Sequence, residues 1–193
     1  MANVMEQLLD KLDNGREQLL IALEPLPDEA LLTPNAVGDW SIAALLAALT
    51  AWEAEMVTAL LKLDQGKKPE RLLAALDNQA EFNQHRVAET YGRPLDRVFD
   101  DLMKVRLQLE EWLETFSDRQ LTDKKRYKWF NGRSLAQIIA QTSYENEALY
   151  LPTVQKFARS WEQAANNGVI PLTAVSANGS NQLNKEFPDE QSD

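Results

Sequence analysis

The chain has 193 residues, of which 44% are hydrophobic and 26% charged, so its length suits one domain with or without a tail. Thirty acidic residues against twenty basic ones give a net charge of −10, which repels phosphate and makes nucleic acid and anionic membranes poor partners. The lack of cysteine excludes disulfides, thiol nucleophiles and thiolate metal sites, and the single histidine, His85, excludes schemes that need two imidazoles.

Neither a targeting sequence nor a membrane span is expected. The N-terminal segment is acidic and amphipathic at once, unlike the long apolar stretch of a signal peptide. The most apolar run, residues 42–52, covers about half of the ~20 residues that a membrane helix requires, and Glu53 ends it. These features predict a cytoplasmic protein.

The first half of the chain predicts two long helices. Leucines recur at helical spacing over residues 4–23, until Pro25 and Pro27 end the pattern because proline disfavours helix. Asp28 is then expected to cap one short turn. Ser41 is predicted to cap the second long helix by accepting from first-turn amides, and Gly66 to close it.

The second half predicts three more helical segments. A third helix between residues 69 and 91 has a weak apolar stripe and is expected to break near Asp77-Asn78. The fourth, residues 94–116, has the clearest stripe, and Ser117 with Gln120 forms a capping box for a short turn after it. Ser134 and Gln137 form a capping box that begins the last helix, which Pro152 should kink.

The predicted architecture is all-α. No alternating runs of β-formers bounded by tight turns compete with the helical pattern. Four principal amphipathic helices predict a four-helix bundle with extra short helical turns over residues 1–165. Residues 166–193, rich in Gly, Pro, Ser and Asn, predict a mobile C-terminal tail.

Two helix starts carry a family resemblance. The segment Gly38-Asp-Trp-Ser, continuing through Leu49 to Trp52-Glu53, resembles the pattern G-x-W-S-x-x-x-x-L-x-H-L-x-x-W-E of the DinB-like four-helix bundles. Within that superfamily the group typified by ClbS and DfsB is the nearest match. Residues 129–150 resemble the family's last helix, and the resemblance covers residues 1–165. It implies an up-down-down-up order of helices.

The resemblance also implies that a metal site has been lost. Many members of the superfamily hold a divalent metal with three histidines, and the same positions here carry Ala48, Asn146 and Tyr150. Alanine cannot ligate a metal, asparagine is a weak neutral donor, and tyrosine would first have to lose a proton. No catalytic metal and no cofactor are therefore expected.

Glu53 is the candidate catalytic residue, and it has two interpretations. It lies on an apolar ridge, where a lone buried carboxylate is costly without a donor nearby. The family resemblance places Tyr150 and Asn146 beside the same cavity, and it therefore implies that they supply that donor. Glu53 is then either a general base, with Tyr150 as second catalytic residue and Asn146 orienting a substrate, or a structural residue with satisfied hydrogen bonds.

The aromatic residues near this position also have two interpretations. Trp52 and Tyr144 either wall a substrate pocket beside the small Ala48 or are core and interface residues. His85 is expected to be an exposed or hydrogen-bonded histidine. Glu110, Glu111 and Glu114 are expected on the solvated face of the fourth helix.

A basic and aromatic loop precedes the last helix. The net charge of the chain argues against a nucleic-acid patch there, although cations and rings alternate over residues 124–133. The amides of Gly132, Arg133 and Ser134 suit an anion site at a helix N-terminus. The plainer interpretation is a solvated connection whose Trp129 and Phe130 cover the end of the bundle.

Two function classes follow. The ClbS resemblance implies a metal-independent protective hydrolase of a reactive electrophilic small molecule. The alternative is a non-catalytic bundle that binds a small molecule or a protein, or that forms a homodimer. A hydrolase requires Glu53, Asn146 and Tyr150 to converge beside a pocket, whereas a binding bundle has that cleft filled and an exposed apolar patch elsewhere.

Overall fold

The computed structural model describes residues 3–169, and every regular element in that range is helical. The elements are α1 (Val4–Leu23), α2 (Asp28–Leu32), α3 (Ile42–Asp64), α4 (Glu70–Asp77), α5 (Gln79–Glu89), α6 (Leu95–Leu113), α7 (Asp118–Thr122), a 3₁₀ turn (Lys128–Phe130), α8 (Leu135–Thr142) and α9 (Tyr144–Asn166). The all-α prediction is confirmed. From residue 170 onward the predicted tail lies outside the described residues.

The predicted helix starts are confirmed where capping side chains set them. Ser41 Oγ accepts from the amide of Ala44 at 3.1 Å, at the start of α3. Capping boxes begin α7 at Ser117 and α8 at Ser134, each with a glutamine three residues later. Gly66, with φ of 70°, follows the end of α3 in the left-handed region that glycine tolerates.

The long helices pair as α1 with α9 and α3 with α6. The core has two halves. One contains the N-terminal part of α1 with the C-terminal parts of α3 and α6, and the other contains the opposite ends of those helices with the C-terminal part of α9. Helices α1 and α9 therefore run one way and α3 and α6 the other, in the expected up-down-down-up order.

The connection from α3 to α6 crosses the bundle through α4 and α5. The expected break lies at Asn78, whose φ of −138° and ψ of 69° separate these two helices. Helix α3 is long and apolar enough to cross a membrane by length and composition, but 61% of its most apolar window is buried inside the bundle. It is the central core helix.

The last helix differs from the prediction of one continuous segment. Ser143, with φ of −131° and ψ of −107°, separates α8 from α9. The hydroxyls of Thr142 and Ser143 donate to the carbonyls of Ile138 and Ile139, one turn upstream. Such bonds from side chains to helix carbonyls favour a bend in the helix. The prediction of one continuous helix was wrong, whereas α9 itself continues through Pro152.

Candidate functional site

Four charged side chains meet in the middle of the bundle, between the two halves of the core. Among the described residues, α1 contributes Arg16, α3 contributes Glu53, α6 contributes Arg106 and α9 contributes Glu147. All four are between 1% and 5% exposed. Burial of single charges at this depth is prohibitive, so they have to neutralise one another.

Arg16 connects both carboxylates. Its Nε donates to Glu147 Oε1 at 2.8 Å, and one Nη donates to Glu53 Oε2 at 3.0 Å. The other Nη donates to the carbonyl of Leu102 in α6 at 3.0 Å. Every nitrogen of the guanidinium therefore has an acceptor, which is the condition for burying it.

Arg106 repeats the same arrangement from the opposite side. Its Nε donates to Glu53 Oε1 at 3.0 Å, and one Nη donates to both Glu53 and Glu147 Oε1, the latter at 3.0 Å. The other Nη donates to the carbonyl of Leu12 in α1 at 2.6 Å. Burial alone would lower the pKa of Arg106, but Glu53 and Glu147 outweigh burial and raise it.

The network has an approximate two-fold pattern. Exchanging Arg16 with Arg106 and Glu147 with Glu53 reproduces the residue pairs, including the bond that each arginine makes to a carbonyl of the other's helix, although Arg106 makes one additional bond to Glu53. Two positive and two negative charges cancel. The network links all the long helices described, and removing one member of such a set leaves an uncompensated buried charge.

Sequence reasoning missed both arginines. Arg16 follows Leu12 by four residues and precedes Leu19 by three, and Arg106 stands between Leu102 and Leu109 in the same spacing. A basic residue at a buried position of an apolar stripe is the signal that could have found them. Together with the acidic Glu53 on the apolar ridge of α3, such a basic residue indicates a charge pair inside the core.

The donors predicted for Glu53 are wrong. Glu53 receives its hydrogen bonds from Arg16 and Arg106, whereas Asn146 and Tyr150 are not among its donors. Tyr150 instead packs beside Trp40 in the other half of the core, with ring centroids 6.2 Å apart. Both oxygens of Glu53 are engaged and 1% of the residue is exposed, so water and substrate have no access to it.

The residues at the positions implied for a metal are chemically unsuited to one. Ala48 is a buried methyl group, and Asn146 is half-buried. Burial raises the pKa of Tyr150 above its ordinary value, so its phenol keeps its proton at neutral pH. Among residues 3–169 no three or more acidic or histidine side chains gather as a metal site would require.

The aromatic residues predicted to wall one pocket lie in different surroundings. Trp52 is a core residue whose Nε1 donates to Asn83 Oδ1 at 2.7 Å and whose ring lies 4.4 Å from that of Phe82. Tyr144 lines a groove of about 470 Å³ together with Lys11 and Arg133. Tyr144 packs against the half of the core that contains Trp52, but of the two residues only Tyr144 lines the groove.

Two of the three amides proposed for an anion site donate within the chain. The amide of Arg133 donates to the carbonyl of Phe130 at 3.0 Å, and that of Ser134 donates to Gln137 Oε1 at 2.9 Å. The guanidinium of Arg133 donates to Gln141 at 2.6 Å. Gly132 lies in the turn before α8, with φ of 79°. Phe130 is fully buried and Trp129 packs against the same half of the core, as the plainer interpretation of this loop expects.

An open groove of about 680 Å³ runs between α1 and α6, over the outer side of the two arginines. Its apolar side chains are unusually exposed: Ile21 is 54% exposed, Met103 48% and Leu107 57%. The remaining residues of its lining are Asp13, Arg16, Glu17, Leu20, Glu24, Arg106 and Glu110. The two helices make few close backbone contacts, which leaves this face of the bundle unfilled.

Glu110 belongs to this groove rather than to a solvated face, which corrects the expectation for it. The carboxylate is half-buried, and burial raises its pKa above the ordinary value. Asp13 and Glu53 add to that rise, while Arg106 and Arg16 oppose it. Glu111 and Glu114 are exposed as expected. His85 is exposed as well, and its Nδ1 lies 3.2 Å from Glu89 Oε1.

A model of the DinB superfamily matches residues 11–146. The chain belongs to the DinB superfamily. A crystal structure of an uncharacterised protein from Escherichia coli UTI89 has a similar fold, with a TM-score of 0.69 at 15% sequence identity. That match covers 84% of this DinB-superfamily chain and 96% of the other chain. No curated protein matches the sequence.

Proposed function

We propose that this DinB-superfamily bundle is a binding protein rather than an enzyme, with the groove between α1 and α6 as its binding surface. The observation that carries the proposal is the closed network at the centre. Every acid or base there is engaged with another at 5% exposure or less, so none is available for proton transfer. The exposed apolar patch of a binding bundle lies in the groove instead.

A protective hydrolase of the ClbS and DfsB kind is supported less well. Its candidate base, Glu53, would first have to break bonds to two guanidiniums and then gain access to solvent. Its partners Asn146 and Tyr150 do not bond to it, and burial raises the pKa of Tyr150, which makes the phenol a weaker acid and leaves little phenolate to act as a base. A hydrolytic activity that Glu53→Gln abolishes while the fold is retained would restore this alternative.

The binding proposal is tested with the neutral dye Nile red, whose emission shifts when it enters an apolar site. We expect the folded protein to bind the dye and the double variant Met103→Gln/Leu107→Gln to bind it about tenfold more weakly, because both side chains form the exposed floor. Each variant is checked for native helicity by circular dichroism.

A matched control uses two exposed leucines outside the groove. Leu61 in α3 is 40% exposed and Leu149 in α9 is 69% exposed, so Leu61→Gln/Leu149→Gln removes a similar apolar surface elsewhere. This variant should keep the dye affinity of the parent protein. Equal loss in the two double variants, or no dye binding by the folded protein, would overturn the proposal.

A further inference from the structure

We infer that the groove between α1 and α6 receives a basic amphipathic helix of a partner protein. This inference rests on the proposed function, because it names the occupant of the same surface. It follows from three properties of the groove: the sign of its charge, its apolar floor and its length.

The charge of the groove is strongly acidic. Its rim carries Asp13, Glu17 and Glu24 on α1 and Glu110 on α6. The two arginines in the lining are balanced by Glu53 and Glu147, to which each is bonded, so the four rim carboxylates remain as an excess of negative charge. A ligand that enters the groove therefore meets uncompensated negative charge, which selects a cationic partner.

The apolar floor requires that the partner also be amphipathic. Ile21, Met103 and Leu107 are about half exposed and line the groove together with the acidic residues. Leu20 completes the apolar part of the lining. A helix that places apolar side chains on the floor and lysine or arginine at its edges matches both features at once, in the manner of helix-in-groove recognition.

The length of the groove fits a helix. Along α1 the lining runs from Asp13 to Glu24, about 16 Å at the rise of an α-helix, which is three turns. Helices α1 and α6 run antiparallel beside it and make few close backbone contacts. A third helix can place a ridge of side chains between them.

A second copy of this chain is a poor occupant of the groove. A symmetric dimer through this face would bring the rim carboxylates of both copies together, and the chain as a whole carries a net charge of −10. Like charges across an interface cost affinity. The same repulsion excludes an acidic helix.

The inference is tested with synthetic helical peptides of about 18 residues, a length at which an isolated helix is marginally stable. One peptide has leucines on one face and lysines on the others. A second has the same composition in a scrambled order, and a third replaces lysine by glutamate. Affinities for the full-length protein are measured by fluorescence anisotropy at low and at raised salt.

We expect the basic amphipathic peptide to bind at least about tenfold more tightly than the other two, and added salt to weaken it. Glu17→Gln/Glu24→Gln should weaken this binding about tenfold. Glu111→Gln/Glu114→Gln removes the same charge from exposed positions on α6 outside the groove and should change the affinity by less than about twofold.

Each other outcome overturns the inference. Equal binding of the scrambled peptide, or equal losses in the two glutamate variants, would mean that net charge alone attracts the peptide. Sedimentation showing a dimer that Leu107→Gln dissociates would identify a second copy as the occupant. If Nile red binds in the groove but the peptide does not, the occupant is not a helix and the proposed binding function stands. If neither probe binds, both the inference and the proposed function are wrong.

Discussion

Glu53 and Glu147 are chemically alike, but the network uses them differently. Glu53 accepts through both oxygens, from Arg16 and Arg106. Glu147 accepts from the same two arginines through Oε1, and its buried Oε2 has no hydrogen-bond partner among residues 3–169. An amide at Glu147 can keep the bonded oxygen, whereas an amide at Glu53 must turn an N–H toward a guanidinium.

We therefore predict unequal costs for the two amide substitutions. Glu53→Gln should lower the free energy of unfolding by about 3–5 kcal/mol, because it removes a charge and turns an N–H toward a guanidinium. Glu147→Gln should cost at least about 1 kcal/mol less. Urea unfolding followed by circular dichroism measures both values. Equal costs, or a greater cost at Glu147, would contradict the geometry described here.

The sequence predicts some of this network but not its connections. The position of Glu53 on the apolar ridge of α3 predicts burial and a need for donors, and both are found. The donors lie 37 and 53 residues away along the chain, in helices whose mutual packing no local pattern encodes. Asn146 and Tyr150, which the family overlay alone suggests as donors, are still farther along the chain, and neither bonds to Glu53.

At the scale of the helices, the close approach of α1 to α9 depends on Gly15. A Cβ added there would lie 2.8 Å from Tyr144 Cβ and 3.1 Å from Glu147 Oε2, both closer than normal contact. Glycine inside a helix normally costs about 0.5–1 kcal/mol relative to alanine. Here the absence of a side chain at Gly15 allows α1 and α9 to pack at this distance.

Gly15→Ala should consequently destabilise the protein, by about 1–3 kcal/mol, although helix propensity favours alanine. The exposed Gln18 on the same helix provides the control, and Gln18→Ala should change stability by less than about 0.5 kcal/mol. Thermal unfolding of both variants decides the point. A Gly15→Ala protein that melts above the parent would show that α1 and α9 are not held at this distance.

Helix boundaries were predicted well where one side chain sets them and poorly where packing does. The caps at Ser41, Ser117 and Ser134 are local hydrogen bonds between residues three apart, so the sequence displays them. The interruption at Ser143 has no proline or glycine to mark it. Pro152, which does carry such a mark, lies inside a helix that continues past it.

For the whole molecule, the excess of negative charge is concentrated in part along the groove. Burial, with Asp13 and Glu53, raises the pKa of Glu110 against the opposing effect of Arg106 and Arg16. A carboxyl whose pKa is higher in the folded protein favours folding most when it is protonated. That contribution is complete below the unfolded pKa and is lost as pH rises through the folded pKa.

Replacing the Glu110 carboxyl with an uncharged amide should therefore increase stability relative to the parent protein only at higher pH. We expect Glu110→Gln and the parent to be close in stability at acidic pH, and the variant to become relatively more stable as pH rises through the folded pKa of Glu110. Free energies of unfolding measured across the acidic range test this, with Glu111→Gln as the exposed control. If the parent protein instead became more stable relative to Glu110→Gln as pH rises, the direction assigned to the pKa shift of Glu110 would be wrong.

The central claim is that the buried charges act as one structural unit that closes the middle of the bundle. A double-mutant cycle of Glu53→Leu and Arg106→Met, measured by urea unfolding of the full-length protein, tests it most directly. Each single variant should lose about 3–5 kcal/mol because it leaves a buried charge unpaired, and the double variant should recover at least about 2 kcal/mol of the summed loss. If the loss in the double variant equals the sum of the two single losses to within about 0.5 kcal/mol, the buried charges do not act as one unit.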